Sequence, residues 1–311
     1  RQRQMCIRDR IMIKYFLILF PLYLIGCSDS NSTDEETTTT TASVAGSVDI
    51  STVVQSIFDV DNGVTVNIED ETIIITSTGL PNHKTPYWDI EGMEHELYEP
   101  FPTYLIDDTD AYDDDAEELS RLIGTDDEGN TIITYQNNMN MEMIAFDYTM
   151  EIPTNPTEAE NKEETDLGLI GLALNGVPIY NDSEGRDVLG VVAMSTFDTA
   201  GAHPGPNSDY HYHTAAQLSM YAEDDGSTYP TVNDSKLIGF LRDGFPIYGR
   251  QEADGSYPDD LDENGGHIAA TDEFTDGIYH YHCSSENYLN TGWYILKAGA
   301  YHGTPGPSSG N

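Results

Sequence analysis

Three cysteines in 311 residues are too few to staple a fold. Cys6 and Cys27 stand near the start and only Cys283 lies in the body of the chain, which excludes an internal disulfide framework there. Stability has to come from a hydrophobic core, which about 250 residues can supply in one domain. Basic residues are also scarce: 13 Lys and Arg stand against 55 Asp and Glu, for a formal net charge of −42. Such a surface repels phosphate backbones and anionic head groups, which excludes nucleic acid as a partner. It suits a saline exterior. No H-E-x-x-H string is present, and a histidine–aspartate acid/base site without metal lacks an obvious nucleophile.

The N-terminal segment reads as an export signal rather than as fold. In "MIKYFLILFPLYLIGC" (12–27), Lys14 supplies the positive flank, and the apolar run 15–25 is short for a membrane span. It ends in "LIGC", which is similar to the lipobox of bacterial lipoproteins and makes Cys27 the expected lipidation site. Residues 1–11, with "MCIRDR", look like a translated sequencing or cloning scar. Residues 12–26 are then the signal peptide and 27–47 a disordered acidic Ser/Thr tether. The expected location is the cell envelope, with the lipid on Cys27 as the membrane partner. The outer membrane or cell surface is favoured, and Asp29 keeps the inner membrane open.

The body of the chain reads as mainly β, a single domain over 48–305 followed by a disordered tail at 306–311. "VTVNI" (64–68), "TIIIT" (72–76), "TDDEGNTIITY" (125–135) and "EMIAFDYTMEIP" (142–153) carry β-branched or alternating apolar residues and predict strands. "DDTDAYDDDAEELSRLIG" (107–124) predicts one short acidic helix. Its cluster of Asp107, Asp108, Asp110, Asp113, Asp114 and Asp115 offers calcium only weakly, because no fixed calcium-loop pattern is present.

A repeat dominates the second half, with units at about 168–215 and 236–284. "IGLALNGVPIYN" (170–181) aligns without a gap to "IGFLRDGFPIYG" (238–249). Asn175–Gly176 and Asp243–Gly244 therefore predict two hairpins with two-residue type I′ turns, positive φ at both positions. Each hairpin is followed by Asp, two residues, Gly, one residue and His: Asp198 to His203, then Asp262 to His267. Last come "DYHYH" (209–213) and "IYHYH" (278–282). Two copies of one ordered set predict an internal pseudo-two-fold duplication.

On a strand, alternate side chains face opposite ways. His211 and His213 then share one face, as do His280 and His282, with the four tyrosines opposite. If the two copies face each other, up to four imidazoles meet, with His203 and His267 nearby and Asp198 and Asp262 as acceptors that orient the rings. Imidazole suits zinc or copper. Histidines copied by a duplication can also be plain packing residues. Cys283 is expected to pack with the tyrosines.

Together with "STGLPNHKTPYW" (77–88), "MEIPTNP" (150–156) and "LDENGGH" (261–267), these strings resemble the bacterial YHYH-domain family from about residue 64 to 302. The resemblance implies an exported or surface protein, often lipid-anchored, and no established reaction. It adds His83 as a further ligand candidate and marks 89–130 as an acidic insert. The leading expectation is a transition-metal-binding envelope lipoprotein. The alternatives are a surface module binding glycan or protein through its tyrosines, Trp88 and Trp293, and a purely structural domain.

Overall fold

The computed structural model describes residues 47–310 apart from 84, 86, 88–122, 126–130, 134–141, 185–186, 195, 199, 215–233, 287, 289–292 and 297–298. The signal, the tether, Cys27, Trp88 and the aspartate cluster lie outside the described residues, as does most of the expected acidic helix. The last two residues of that stretch, Ile123 and Gly124, are strand.

The chain opens with helix α1 (Ser51–Ile57) and a 3₁₀ turn (Val60–Asn62), neither expected from the sequence. Strands follow: β1 (Thr65–Glu69), β2 (Thr72–Ser77), β3 (Ile123–Thr125), β4 (Thr131–Ile133), β5 (Tyr148–Pro153), β6 (Gly171–Ala173) and β7 (Pro178–Ile179). Then come β8 (Ser183–Glu184), β9 (Asp187–Val188), a one-turn helix (Val191–Met194), β10 (Ala202–Pro204) and β11 (Tyr210–Tyr212). The last are β12 (Leu237–Leu241), β13 (Pro246–Tyr248), β14 (Gly266–Ala269), β15 (Ile278–His282) and β16 (Ser308–Ser309). The fold is mainly β, as the alternating β-branched segments predict.

Two sheets carry the structure. The first is antiparallel in the order β1-β2-β5-β16. Its alternation places Ile73, Ile75, Met150 and Ile152 inward. One hydrophobic cluster joins these to Leu172, Val177, Phe240 and Ile247 of the second sheet. The second sheet has eight strands in the order β10-β11-β7-β6-β12-β13-β15-β14. With the repeat units matched, that order reads the same from both ends. β6 and β12 pair antiparallel at the centre with Leu172 opposite Phe240, so a local two-fold axis passes between them. Gly171 and Gly239 flank this axis. A Cβ on Gly239 would stand 2.1 Å from the Leu172 carbonyl oxygen. Only glycine allows the two backbones to approach this closely.

The turns differ from expectation. Gly176 (φ 85°) and Gly244 (φ 88°) are left-handed, but Asn175 and Asp243 are not. Gly176 N donates to Ala173 O and Ala173 N donates to Val177 O, so each loop has three residues, a tight turn followed by a left-handed glycine. The side chains explain the change. Asn175 Oδ1 accepts from Val177 N at 3.3 Å and Asp243 Oδ1 from Phe245 N at 3.2 Å. Such bonds hold the Asx residue on the negative-φ side and leave the glycine alone to reverse the chain.

The C-terminal segment is ordered, contrary to the expected tail. Ser308 and Ser309 pair with Met150 and Thr149, and Arg242 donates twice to Gly306 O. The free edge of β5 offers backbone groups that a Gly-Pro-Ser segment can satisfy as well as any other sequence.

Candidate metal centres

The strands bring six of the nine histidines into two groups of three. In the first, His203 of β10 lies directly opposite His211 of β11, and His213 follows two residues on. In the second, His267 of β14 lies opposite His280 of β15, and His282 follows. Candidate ligand atoms within each group all lie within 4.8 Å of one another, and the second group also contains Glu252. The two H-x-H pairs do not share one four-histidine site. β7, β6, β12 and β13 stand between β11 and β15. The two-fold axis runs through the middle of the sheet, and the YHYH strands lie next to its outer edges.

Every imidazole in these groups turns Nδ1 outward onto an acceptor. His211 Nδ1 donates to Asp209 O at 2.8 Å and His213 Nδ1 to Asn181 O at 2.7 Å. His280 Nδ1 donates to Ile278 O at 3.0 Å and His282 Nδ1 to Gly249 O at 2.7 Å. His203 Nδ1 donates to Thr196 Oγ1 at 2.6 Å, a hydroxyl that spends its own proton on Ala193 O. His267 Nδ1 donates to Asp260 Oδ1 at 2.6 Å. Carbonyls cannot donate, so His211, His213, His280 and His282 carry a proton on Nδ1, which leaves Nε2 of each neutral ring with a lone pair. The Nε2 atoms converge: His211 to His213 at 3.0 Å and His267 to His280 at 3.2 Å. The lone pairs of His211 and His213 repel at that separation unless a cation lies between them. In the second group burial lowers His280 to about 3 and His282 to about 4, which disfavours a further proton on either ring.

Glu252 is a donor that the histidine pattern does not reveal. Its Oε1 lies 2.8 Å from His267 Nε2 and 3.7 Å from His282 Nε2. The repeat holds a signal for it: Glu184 stands at the matching position, 68 residues earlier.

The other candidates lie elsewhere. Asp198 and Asp262 do not orient the imidazoles. Asp198 accepts from Ala200 N, Ala202 N and the Tyr210 hydroxyl. Asp262 does the same with Asn264 N, Gly266 N and the Tyr279 hydroxyl. The roles they were expected to play fall to backbone carbonyls, Thr196 and Asp260, which no spacing rule singles out. His83 sits on the tyrosine side of β11, with Nε2 2.8 Å from the Tyr212 hydroxyl. Asn175 and Asp243 hold the second tyrosine of each YHYH string, at 3.0 Å to Tyr212 and 2.5 Å to Tyr281. Cys283 is buried in the core. Trp293 is fully buried and offers no contact platform. The string Gly306–Gly310 has G-x-S-x-G spacing, yet Ser308 is exposed in edge strand β16 and not on a strand-to-helix elbow.

A family model described as "YHYH protein" matches residues 149–258. That stretch is a YHYH domain. The matched part of the YHYH domain holds both hairpins, the first three histidines and Glu252. It stops short of the second YHYH string, so it is narrower than the span from 64 to 302 that the motifs suggest. No curated protein and no solved structure matches the chain. The two histidine groups could each hold a metal ion.

Proposed function

We propose that the YHYH domain is a two-centre transition-metal module, with His203, His211 and His213 at one centre and His267, His280, His282 and Glu252 at the other. One observation carries this reading: in each group Nε2 atoms converge, 3.0 and 3.2 Å apart, while every Nδ1 is turned onto an acceptor outside the group. Tetrahedral zinc with Zn–N bonds of about 2.0–2.1 Å places its nitrogens roughly 3.3 Å apart. The spacing therefore suits zinc, or copper with similar bonds, without large rearrangement. Imidazole-rich donors favour these metals over calcium. Metal content of the purified full chain tests the reading. Two equivalents of zinc or copper are expected for the wild type, and one each for His211→Ala and His280→Ala. Sub-stoichiometric metal in the wild type after reconstitution with either ion overturns it.

The proposed setting is the cell envelope, with the domain tethered by a lipid on Cys27. The order of charge, apolar run and "LIGC" supports this, as does the high acidity. Among the described residues, no helix is long and apolar enough to cross a membrane. In the expression host, Cys27→Ala should move the protein from the membrane pellet to the soluble fraction and abolish labelling with a fatty-acid probe. Unchanged membrane association would sink the lipid anchor.

A further inference from the structure

Both halves of the domain build their centres on one backbone plan. Ile179 of β7 lies opposite Tyr212 of β11 in parallel pairing, and Ile247 of β13 lies opposite Tyr281 of β15 in the same way. Two residues past each isoleucine, a backbone carbonyl accepts from a histidine Nδ1 at 2.7 Å. Asn181 O takes His213 and Gly249 O takes His282. Three residues further on stands a glutamate, Glu184 in the first half and Glu252 in the second. Each opens a four-residue reversal: Glu184 pairs with Asp187 in the β8–β9 hairpin, and Gly255 N donates to Glu252 O. The same strand register, the same histidine-to-carbonyl bond and the same kind of turn therefore place the two glutamates in the chain.

In the second half that placement sets a carboxylate among the imidazoles. Glu252 Oε1 is 2.8 Å from His267 Nε2 and 3.7 Å from His282 Nε2. A divalent ion calls for such a group. Three neutral imidazoles leave its charge of two unbalanced, and an unbalanced charge is costly where water is excluded. His203, His211 and His213 are 2%, 1% and 0% exposed, so the first centre faces the same demand. Asp209 does not meet it from the side of the converging nitrogens. Its Oδ2 accepts from the Tyr180 hydroxyl at 2.7 Å and lies 3.9 Å from His211 Nδ1, the nitrogen that donates to Asp209 O.

We propose that Glu184 is a metal ligand of the first centre, the counterpart of Glu252, so that each half offers a divalent ion three imidazoles and one carboxylate. This rests on the two-centre reading above. Four protein donors of these types make a closed tetrahedral set for zinc. The carboxylate also halves the net charge that the centre has to bury.

Cadmium NMR of the full chain loaded with two equivalents of cadmium tests this. Two signals are expected, and His280→Ala, which removes one of them, assigns the pair. Glu252→Ala should move the signal of the second centre and Glu184→Ala that of the first, each leaving the other in place. Zinc titration against a competing chelator supplies a second readout. Glu184→Ala should weaken one of the two sites by about 10–100-fold and leave the other unchanged. Glu184→Gln keeps the size of the side chain and removes its charge, and it should weaken the same site. A first-centre signal that stays fixed in Glu184→Ala, a shift of the second signal instead, or full zinc affinity in both Glu184 variants overturns the inference. Failure of the wild type to take up two equivalents overturns the two-centre reading instead.

Discussion

Asp243 is a carboxyl with no exposed surface at the tip of a hairpin. It accepts from the Tyr281 hydroxyl, Gly303 N and Phe245 N, yet burial outweighs these bonds and raises its pKa above the ordinary 3.8. A raised carboxyl binds more protons folded than unfolded in the window between the two values. It therefore favours the fold below that window and costs stability as pH rises through the folded value. The first repeat carries Asn175 at this place, with Nδ2 3.0 Å from the Tyr212 hydroxyl, so the hairpin tip accepts an amide. Asp243→Asn should gain on the wild type in thermal melts as pH climbs from about 4 to 8. A difference independent of pH would show that ionisation of Asp243 costs nothing.

At the scale of elements, backbone economy explains what the sequence discloses and what it hides. The hairpins and the alternate faces of the YHYH strands are legible because they depend on local signals: an Asx-Gly pair, a proline, a period of two. The grouping of His203 with His211 and His213 is half-legible. The repeat marks it, but only strand pairing decides which imidazoles meet. Glu252 and the β16 segment are hidden, since a glutamate in a polar loop and a Gly-Pro-Ser end look like solvent-facing chain. Removing 306–311 tests the second point. It deletes the bonds Glu151 N–Pro307 O and Gly306 N–Arg242 O, and both Arg242 contacts to Gly306 O. At about 1 kcal/mol net per bond, a loss of roughly 2–4 kcal/mol in denaturant unfolding is expected. An unchanged midpoint would mean that the segment merely rests on β5. At the centre of the second sheet, Gly239→Ala drives a methyl into the Leu172 carbonyl. It should cost about 3 kcal/mol or more, read in the same titration.

At the scale of the whole molecule, the position of the two-fold axis decides how the centres communicate. Had the axis passed between the YHYH strands, four imidazoles would have met around one ion. It passes instead between Leu172 and Phe240, and each half keeps its own centre. Five strand-to-strand steps separate β11 from β15, with β7, β6, β12 and β13 between them. At about 4.8 Å per step, the centres stand roughly 25 Å apart. That is too far for shared coordination and well suited to pulsed dipolar electron spin resonance. The doubly copper-loaded chain should give one distance peak at about 20–30 Å, and His211→Ala or His280→Ala should each abolish it by removing one spin. A single spin per chain in the wild type would mean that only one of the two histidine groups loads, and a much shorter distance would break the palindromic strand order. Because the halves meet mainly through the short β6–β12 pairing and the core beneath it, loss of one ion should leave the affinity of the other unchanged within about twofold, since sites this far apart without common partners are close to additive.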